Sequence, residues 1–367
     1  MAETGGPAGL GGIDVEGFRG LRGEVRLGPG LNIIVGPNAS GKTALLEAAL
    51  TAATLNLEDM QIAMSLFMLP HAARGSEMHS LASTAAAGKA RACIETYSGR
   101  RFCVNISKTH EMESRGLGLV SVVDLAFKPD GRKCRIRIRL APEGLRLQVE
   151  GQDCSSRISG EPSVAMLTAG IMPSTMFDTL LGKLKRSKPL IFEKLAIRIG
   201  SGSYRVELAA DDWDRLAAYI VEEDRSISFY SAGRGLQRAF QMLTLLELYD
   251  VVLIDEVENS MHPELLEEVA SRLAEYSRRR QIVVTTQSLE AARILAAKVA
   301  GIPRPRMLEP VACSTEMEEE LEQLLNLLVL NRSGNRIASA LLRGCSALSH
   351  ILSTPDVRLS YTLVGSQ

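Results

Sequence analysis

Residues 36–43 read Gly36-Pro37-Asn38-Ala39-Ser40-Gly41-Lys42-Thr43, which fits the spacing G-x-x-x-x-G-K-[ST]. Gly36 and Gly41 let the backbone curl, so that successive N–H groups face one anion. The helix expected to follow adds the partial positive charge of its N-terminus. In that setting Lys42 reaches the β- and γ-phosphates of a nucleotide, and the Thr43 hydroxyl is a ligand for Mg²⁺.

A second group stands far along the chain. The apolar run Val251-Val252-Leu253-Ile254 ends in Asp255-Glu256. Two adjacent carboxylates at the end of a buried strand are costly unless a cation or a water needs them. Asp255 suits a metal held through its water shell. Glu256, one residue on, is placed to polarise an attacking water. A third stretch, Gln281 to Ser288, runs Q-I-V-V-T-T-Q-S, apolar and then abruptly hydrogen-bonding. Thr285, Thr286, Gln287 and Ser288 are expected to edge the same site.

The elements that position these residues follow from periodicity. Leu31–Val35 reads as a buried strand, and 43–55 as a helix rich in Ala and Leu without Gly or Pro. Residues 89–150 carry short alternating runs separated by turns, mainly antiparallel strand. A further helix is expected through Leu236–Leu248, then the strand 251–254. Helix 263–279 follows with Pro263 at its start, then strand 281–286 and helix 289–299. After Gly301 two more helical patterns are read. The first is acidic, Glu316 to Leu330, aligning Leu321, Leu324, Leu325 and Leu328; the second lies near 336–352.

These elements and their motifs resemble ABC-class P-loop ATPases of the Rad50/SMC/RecF/OLD-like group. The nearest likeness is to small prokaryotic "AAA family" ATPases with a D-E-x-E-N-x-x-H-P block. The resemblance rests on Gly17-Phe18-Arg19-Gly20-Leu21, on the phosphate loop, on Gly235-Leu236-Gln237-Arg238-Ala239, and on the run from Asp255-Glu256-Val257-Glu258-Asn259 to Ser260-Met261-His262-Pro263. It implies ATP and Mg²⁺, hydrolysis whose turnover can be slow, and a head-to-head homodimer with nucleotide sandwiched against an opposing signature segment. Here that segment is residues 231–238. Ser231 with Gly233 fits an S-x-G signature; alternatively Arg234 stands where relatives carry serine, and a guanidinium can still grip a phosphate. Arg19 is expected either at the nucleotide or in a surface salt bridge. Relatives carry T-H-S at the third strand end, so Gln287 replaces a phosphate-sensing histidine. It can donate a hydrogen bond but carry no charge.

The expected fold is therefore α/β: a P-loop NTPase sheet with helices like an ABC-ATPase head, an inserted mainly antiparallel β subdomain and a helical C-terminal tail. The expected boundaries are 13–90 and 226–300 for the ATPase core, 91–225 for the insert and 301–367 for the tail. The output is expected in DNA repair or maintenance or in defence against foreign DNA, with DNA or a DNA-processing protein as partner. The alternative is a slowly hydrolysing or non-hydrolysing nucleotide switch acting on a protein partner.

Composition narrows the classes. A net charge of −1 gives no global pull toward nucleic acid, so any such contact must be a local patch. One candidate is Lys133, Arg135, Arg137 and Arg139, alternating on one strand face. They could track phosphates, pair with acids on a neighbouring strand or protect a sheet edge. Lys183–Lys188 is another. No apolar run approaches a membrane span and the start lacks a signal-peptide pattern, so a cytoplasmic protein is expected. Cys93, Cys103, Cys134, Cys154, Cys313 and Cys345 form no C-x-x-C pair, which speaks against zinc and makes free thiols the expectation. Cys93 and Cys103 flank a hairpin turn, where geometry decides whether a disulfide forms.

Overall fold

The computed structural model describes residues 8–58, 83–85, 88–112, 119–141, 144–151, 154, 157–193, 195–211, 216–223, 225–302 and 313–354. The chain opens with β1 (Leu10–Phe18), β2 (Leu21–Arg26) and β3 (Leu31–Val35), followed by α1 (Lys42–Leu57). Five strands come next: β4 (Lys89–Thr96), β5 (Arg101–Met112), β6 (Leu119–Phe127), β7 (Cys134–Ala141) and β8 (Gly144–Glu150). Then follow β9 (Val164–Leu167), α2 (Ser174–Ser187), β10 (Ile197–Ile199), β11 (Gly202–Ala210), β12 (Leu216–Glu222) and β13 (Arg225–Ser228). The last third holds α3 (Arg234–Leu248), β14 (Val251–Ile254), α4 (Pro263–Ser277), β15 (Gln281–Thr286) and α5 (Leu289–Val299). It closes with α6 (Thr315–Leu324), β16 (Leu325–Ser333), β17 (Arg336–Arg343) and α7 (Gly344–Ser353).

Among the described residues, 13 strands join one sheet in the order β8-β7-β6-β5-β4-β1-β2-β17-β16-β3-β15-β14-β9. Its centre is parallel: β16, β3, β15, β14 and β9 run the same way. All residues of β3, β14, β15 and β9 are buried, so these strands show no apolar–polar alternation, and their few polar members, such as Asn32 and Gln281, are buried too. The wing from β4 to β8 is antiparallel and continues the same sheet through the β1–β4 pair. A second, separate sheet is four-stranded and antiparallel, in the order β10-β11-β12-β13. Helix α1 packs against β1, β4, β5 and β9. It is buried almost all round, as its Ala and Leu content on every face requires.

The tail departs from the sequence reading. The acidic helix stops at Leu324, and residues 325–343 form the β16–β17 hairpin instead of continued helix. Leu321, Leu324, Leu325 and Leu328 fit helical spacing, but L-N-L-L-V-L is also a run that can be buried on both faces. The place beside β3 decides: Leu325–Val329 pair in register with Leu31–Val35, and every residue from Leu325 to Leu330 is buried. The turn after β16 uses Gly334 at φ 62°, within the Ser333-Gly334-Asn335 signal that a helical pattern passes over.

The free-thiol expectation is also corrected. Cys93 pairs with Cys103, Cys134 with Cys154, and Cys313 with Cys345, leaving no free cysteine. The reason is register: β4 and β5 set Cys93 directly opposite Cys103, at a Cα separation of 4.1 Å. No helix among the described residues is long and apolar enough to cross a membrane.

Candidate functional site

The parallel register brings three distant strand ends together. β3 ends at Val35 and runs into the glycine-bounded loop, β14 ends at Ile254 before Asp255, and β15 ends at Thr286 before Gln287. In open α/β sheets this carboxyl edge is where ligands sit. A cavity of about 340 Å³ lies here, lined by Arg19, residues 38–43, Asp255, Glu256, Gln287 and others.

The loop between β3 and α1 is shaped by contacts that only glycine allows. A Cβ on Gly36 would meet Ser40 Oγ at 2.7 Å and Leu330 O at 2.8 Å. Gly41 has φ 98° and caps the start of α1. Ser40 is buried, and its hydroxyl has no hydrogen-bond partner, a polar atom left for a bound group. Lys42 is nearly buried, and its Nζ donates to the carbonyls of Gly36 (2.8 Å) and Pro37 (3.1 Å). Burial pulls its pKa below the ordinary lysine value, opposed by the charges of Asp255, Glu256 and Glu258.

Asp255 is the hub. The Thr43 hydroxyl donates to its two oxygens at 3.0 and 2.9 Å, and Thr285 Oγ1 donates to Oδ1 at 2.7 Å. Thr285 Oγ1 in turn accepts the backbone N–H of Glu256 at 2.8 Å. Glu256 takes the left-handed φ of 48°, sparsely populated for a residue with a side chain. Its Oε1 accepts a hydrogen bond from Gln287 Nε2 at 2.8 Å. Glu258 closes the strand end by accepting the N–H groups of Gln287 (3.0 Å) and Ser288 (3.2 Å). Ser288 then caps α5 by accepting from Ala291 N.

These donors fit Mg²⁺. A hydroxyl and a carboxylate are hard oxygen ligands, and this ion is commonly held by one or two carboxylates together with phosphate oxygens and water. Among the described residues no group of three or more His, Cys, Asp or Glu is placed to hold a metal ion by itself. One carboxylate beside a phosphate loop is the pattern such an ion accepts.

The structure gathers Lys42, Thr43, Asp255, Glu256 and Gln287 with the loop residues. Arg19 also reaches this cavity, at φ 47°, but it is ion-paired with buried Glu47 rather than sitting in a surface salt bridge. Ser231, Gly233 and Arg234 are exposed at the start of α3 and do not line the cavity. His262 precedes α4 as its cap residue.

One residue quoted in a motif turns out to do more. Among the described residues Arg238 is the largest fully buried side chain. Its guanidinium donates to the carbonyls of Thr168, Gly170, Asp255 and Glu256, clamping the acidic pair from behind. Burial pulls its pKa down to about 10 despite the three acids nearby. Arg332, at the cavity edge, carries no motif at all. Only knowing that 325–333 is a strand beside β3 would have pointed to it. Three of the four cations of the basic stripe are paired instead: Arg135 and Arg137 with Asp124, Arg139 with Glu111.

Two family models match this chain. One, described as "AAA domain", covers residues 13–96; the other, "AAA domain, putative AbiEii toxin, Type IV TA system", covers 145–292. The first of these segments contains the phosphate loop and the second contains the acidic block. Solved structures similar to the chain include an SMC head bound to the C-winged helix domain of ScpA (15% identity, TM-score 0.46). The SMC head domain from Thermotoga maritima (14%, 0.38) and the recombination mediator protein RecF of the RecFOR pathway (13%, 0.40) are also similar. Each match covers 91% of this chain and 98% of the other. A comparison with curated proteins finds no match.

Proposed function

We propose that this AAA-type protein binds and hydrolyses MgATP, with a core formed by residues 13–90 and 226–300. The observation that carries the reading is the hydrogen-bonded chain Thr43–Asp255–Thr285–Glu256–Gln287, which ties the ends of β3, β14 and β15 into one site. Lys42 and the loop amides hold the phosphates. Thr43 and Asp255 would hold Mg²⁺, which when bound would supply positive charge against phosphate oxygens. Glu256 accepts a proton from the attacking water, and its bond from Gln287 Nε2 orients the carboxylate.

Ser231, Gly233 and Arg234, exposed and away from their own cavity, serve the nucleotide of a second copy in an ATP-sandwiched homodimer. Its opening and closing drives a mechanical or regulatory step in a cytoplasmic setting. DNA repair or maintenance, or defence against invading DNA, is the context, with DNA or a DNA-processing protein as partner. The toxin–antitoxin wording of one matching model supports the defence branch.

One observation favours a second reading. Gln287 occupies an oxygen of Glu256 without being able to take a proton, which suits a slowly hydrolysing switch that acts on a protein partner.

Light scattering on the Glu256→Gln variant tests the dimer. The molar mass is expected to double with MgATP, and Arg234→Ala added to that variant is expected to abolish the doubling while nucleotide still binds. An unchanged mass with saturating MgATP rules the sandwich out. Duplex DNA that neither stimulates turnover nor binds in a salt-dependent way rules out a direct DNA role.

A further inference from the structure

β16 runs parallel to β3 in exact pairing from Leu325↔Leu31 to Val329↔Val35. At Val35 the two part. β3 turns into the phosphate loop, while β16 continues straight through Leu330 to Ser333. The extension therefore runs alongside the loop. It packs so closely that Leu330 O would lie 2.8 Å from a Cβ on Gly36.

Two residues further on, Arg332 is carried to the loop itself. Its Nη1 donates to Ala39 O at 3.4 Å, and its Nε to Gly334 O at 2.7 Å in the hairpin turn. Arg332 lines the cavity that holds Lys42, Asp255 and Glu256. It also lines a second space of about 330 Å³ outside the loop, shared with residues 37–40 and Gly334. Among the described residues no carboxylate makes an ion pair with Arg332, whereas Arg19, on the same cavity, is held by Glu47. An exposed guanidinium with free N–H donors at the rim of a phosphate cradle has the charge and the forked geometry for a phosphate oxygen.

We infer that Arg332 is a phosphate-binding residue of the nucleotide site, delivered by the C-terminal hairpin, so that this hairpin senses whether nucleotide is bound. The inference rests on the MgATP reading above and adds a residue outside its motifs.

The test is calorimetric titration of MgATP into the wild type and into Arg332→Lys, Arg332→Ala and Arg332→Glu, with Lys42→Ala as control. Melting of each protein without nucleotide is measured alongside. Losing one charge-assisted contact should weaken binding by Arg332→Ala roughly 10–100-fold. Affinity should fall in the order Lys, Ala, Glu, with nucleotide-free melting unchanged, because the residue is exposed. A purely structural role in the turn would shift melting and would not follow charge. Binding by Arg332→Ala within about twofold of the wild type, or equal losses for all three variants, overturns the proposal. A wild type that binds no MgATP, or a Lys42→Ala protein that binds as tightly, overturns the nucleotide reading and this inference with it.

Discussion

In β14 and β15 every residue is buried, and ionisable side chains stand only beyond the two ends of the strands; in β7 a cation stands at every second position along the strand itself. Both belong to one sheet. The parallel centre is covered on both faces, so charge is held to its two edges: Asp250 and Arg280 pair at the amino edge, while at the carboxyl edge Asp255 and Glu256 converge with Gln287 on the loop after β3. In the antiparallel wing β7 has one accessible face, and its arginines are answered across the strands. Asp124 stands opposite Arg137 in register and also receives Arg135. A buried strand ending in unneutralised acids thus marks chemistry, whereas an alternating basic stripe marks a solvated face whose charges are matched.

That contrast can be broken by substitution. The largest expected effect is at Arg238, behind the acidic pair. Arg238→Met removes the donor from two buried carbonyls, those of Thr168 and Asp255, and from two half-buried ones, and should lower stability by about 3–5 kcal/mol in urea unfolding. A loss below about 1 kcal/mol would show that the clamp is dispensable. Next comes Thr285→Val, which keeps the shape but removes the hydroxyl joining Asp255 to the Glu256 amide. It should cost about 1–3 kcal/mol, with Thr285→Ser recovering most of it. Gln287→His should raise phosphate release roughly tenfold by placing a titratable ring against Glu256. Unchanged turnover would show that the amide suffices. The smallest effect belongs to the wing: Arg137→Gln should leave the urea unfolding midpoint essentially unchanged, since Arg135 still meets Asp124. A larger cost there than at Thr285 would reverse the comparison.

The two regions also differ in how much of them could be read beforehand. The phosphate loop is eight consecutive residues between a strand and a helix, so its chemistry is local and visible in the string. Asp255 and Glu256 were legible for the same reason, at the end of an apolar run. The links between them were not. Thr285 joins Asp255 to Glu256 because β15 pairs beside β14, a fact of topology. Leu325–Leu330 satisfied helical spacing and strand burial equally, and only the open place beside β3 chose between them. Arg332 inherits that ambiguity. The disulfides were hidden likewise, since Cys93 faces Cys103 only once the β4–β5 register is set.

The central claim, that the carboxyl edge of the parallel centre is a hydrolytic nucleotide site, is tested most directly by steady-state phosphate release with MgATP. Wild type and Glu256→Gln are compared, with MgATP binding measured on both. The account predicts that Glu256→Gln lowers release by about 10²–10⁴-fold while nucleotide binding stays within a few-fold of the wild type. Equal release by the two proteins, or loss of binding together with turnover, would contradict the role given to Glu256.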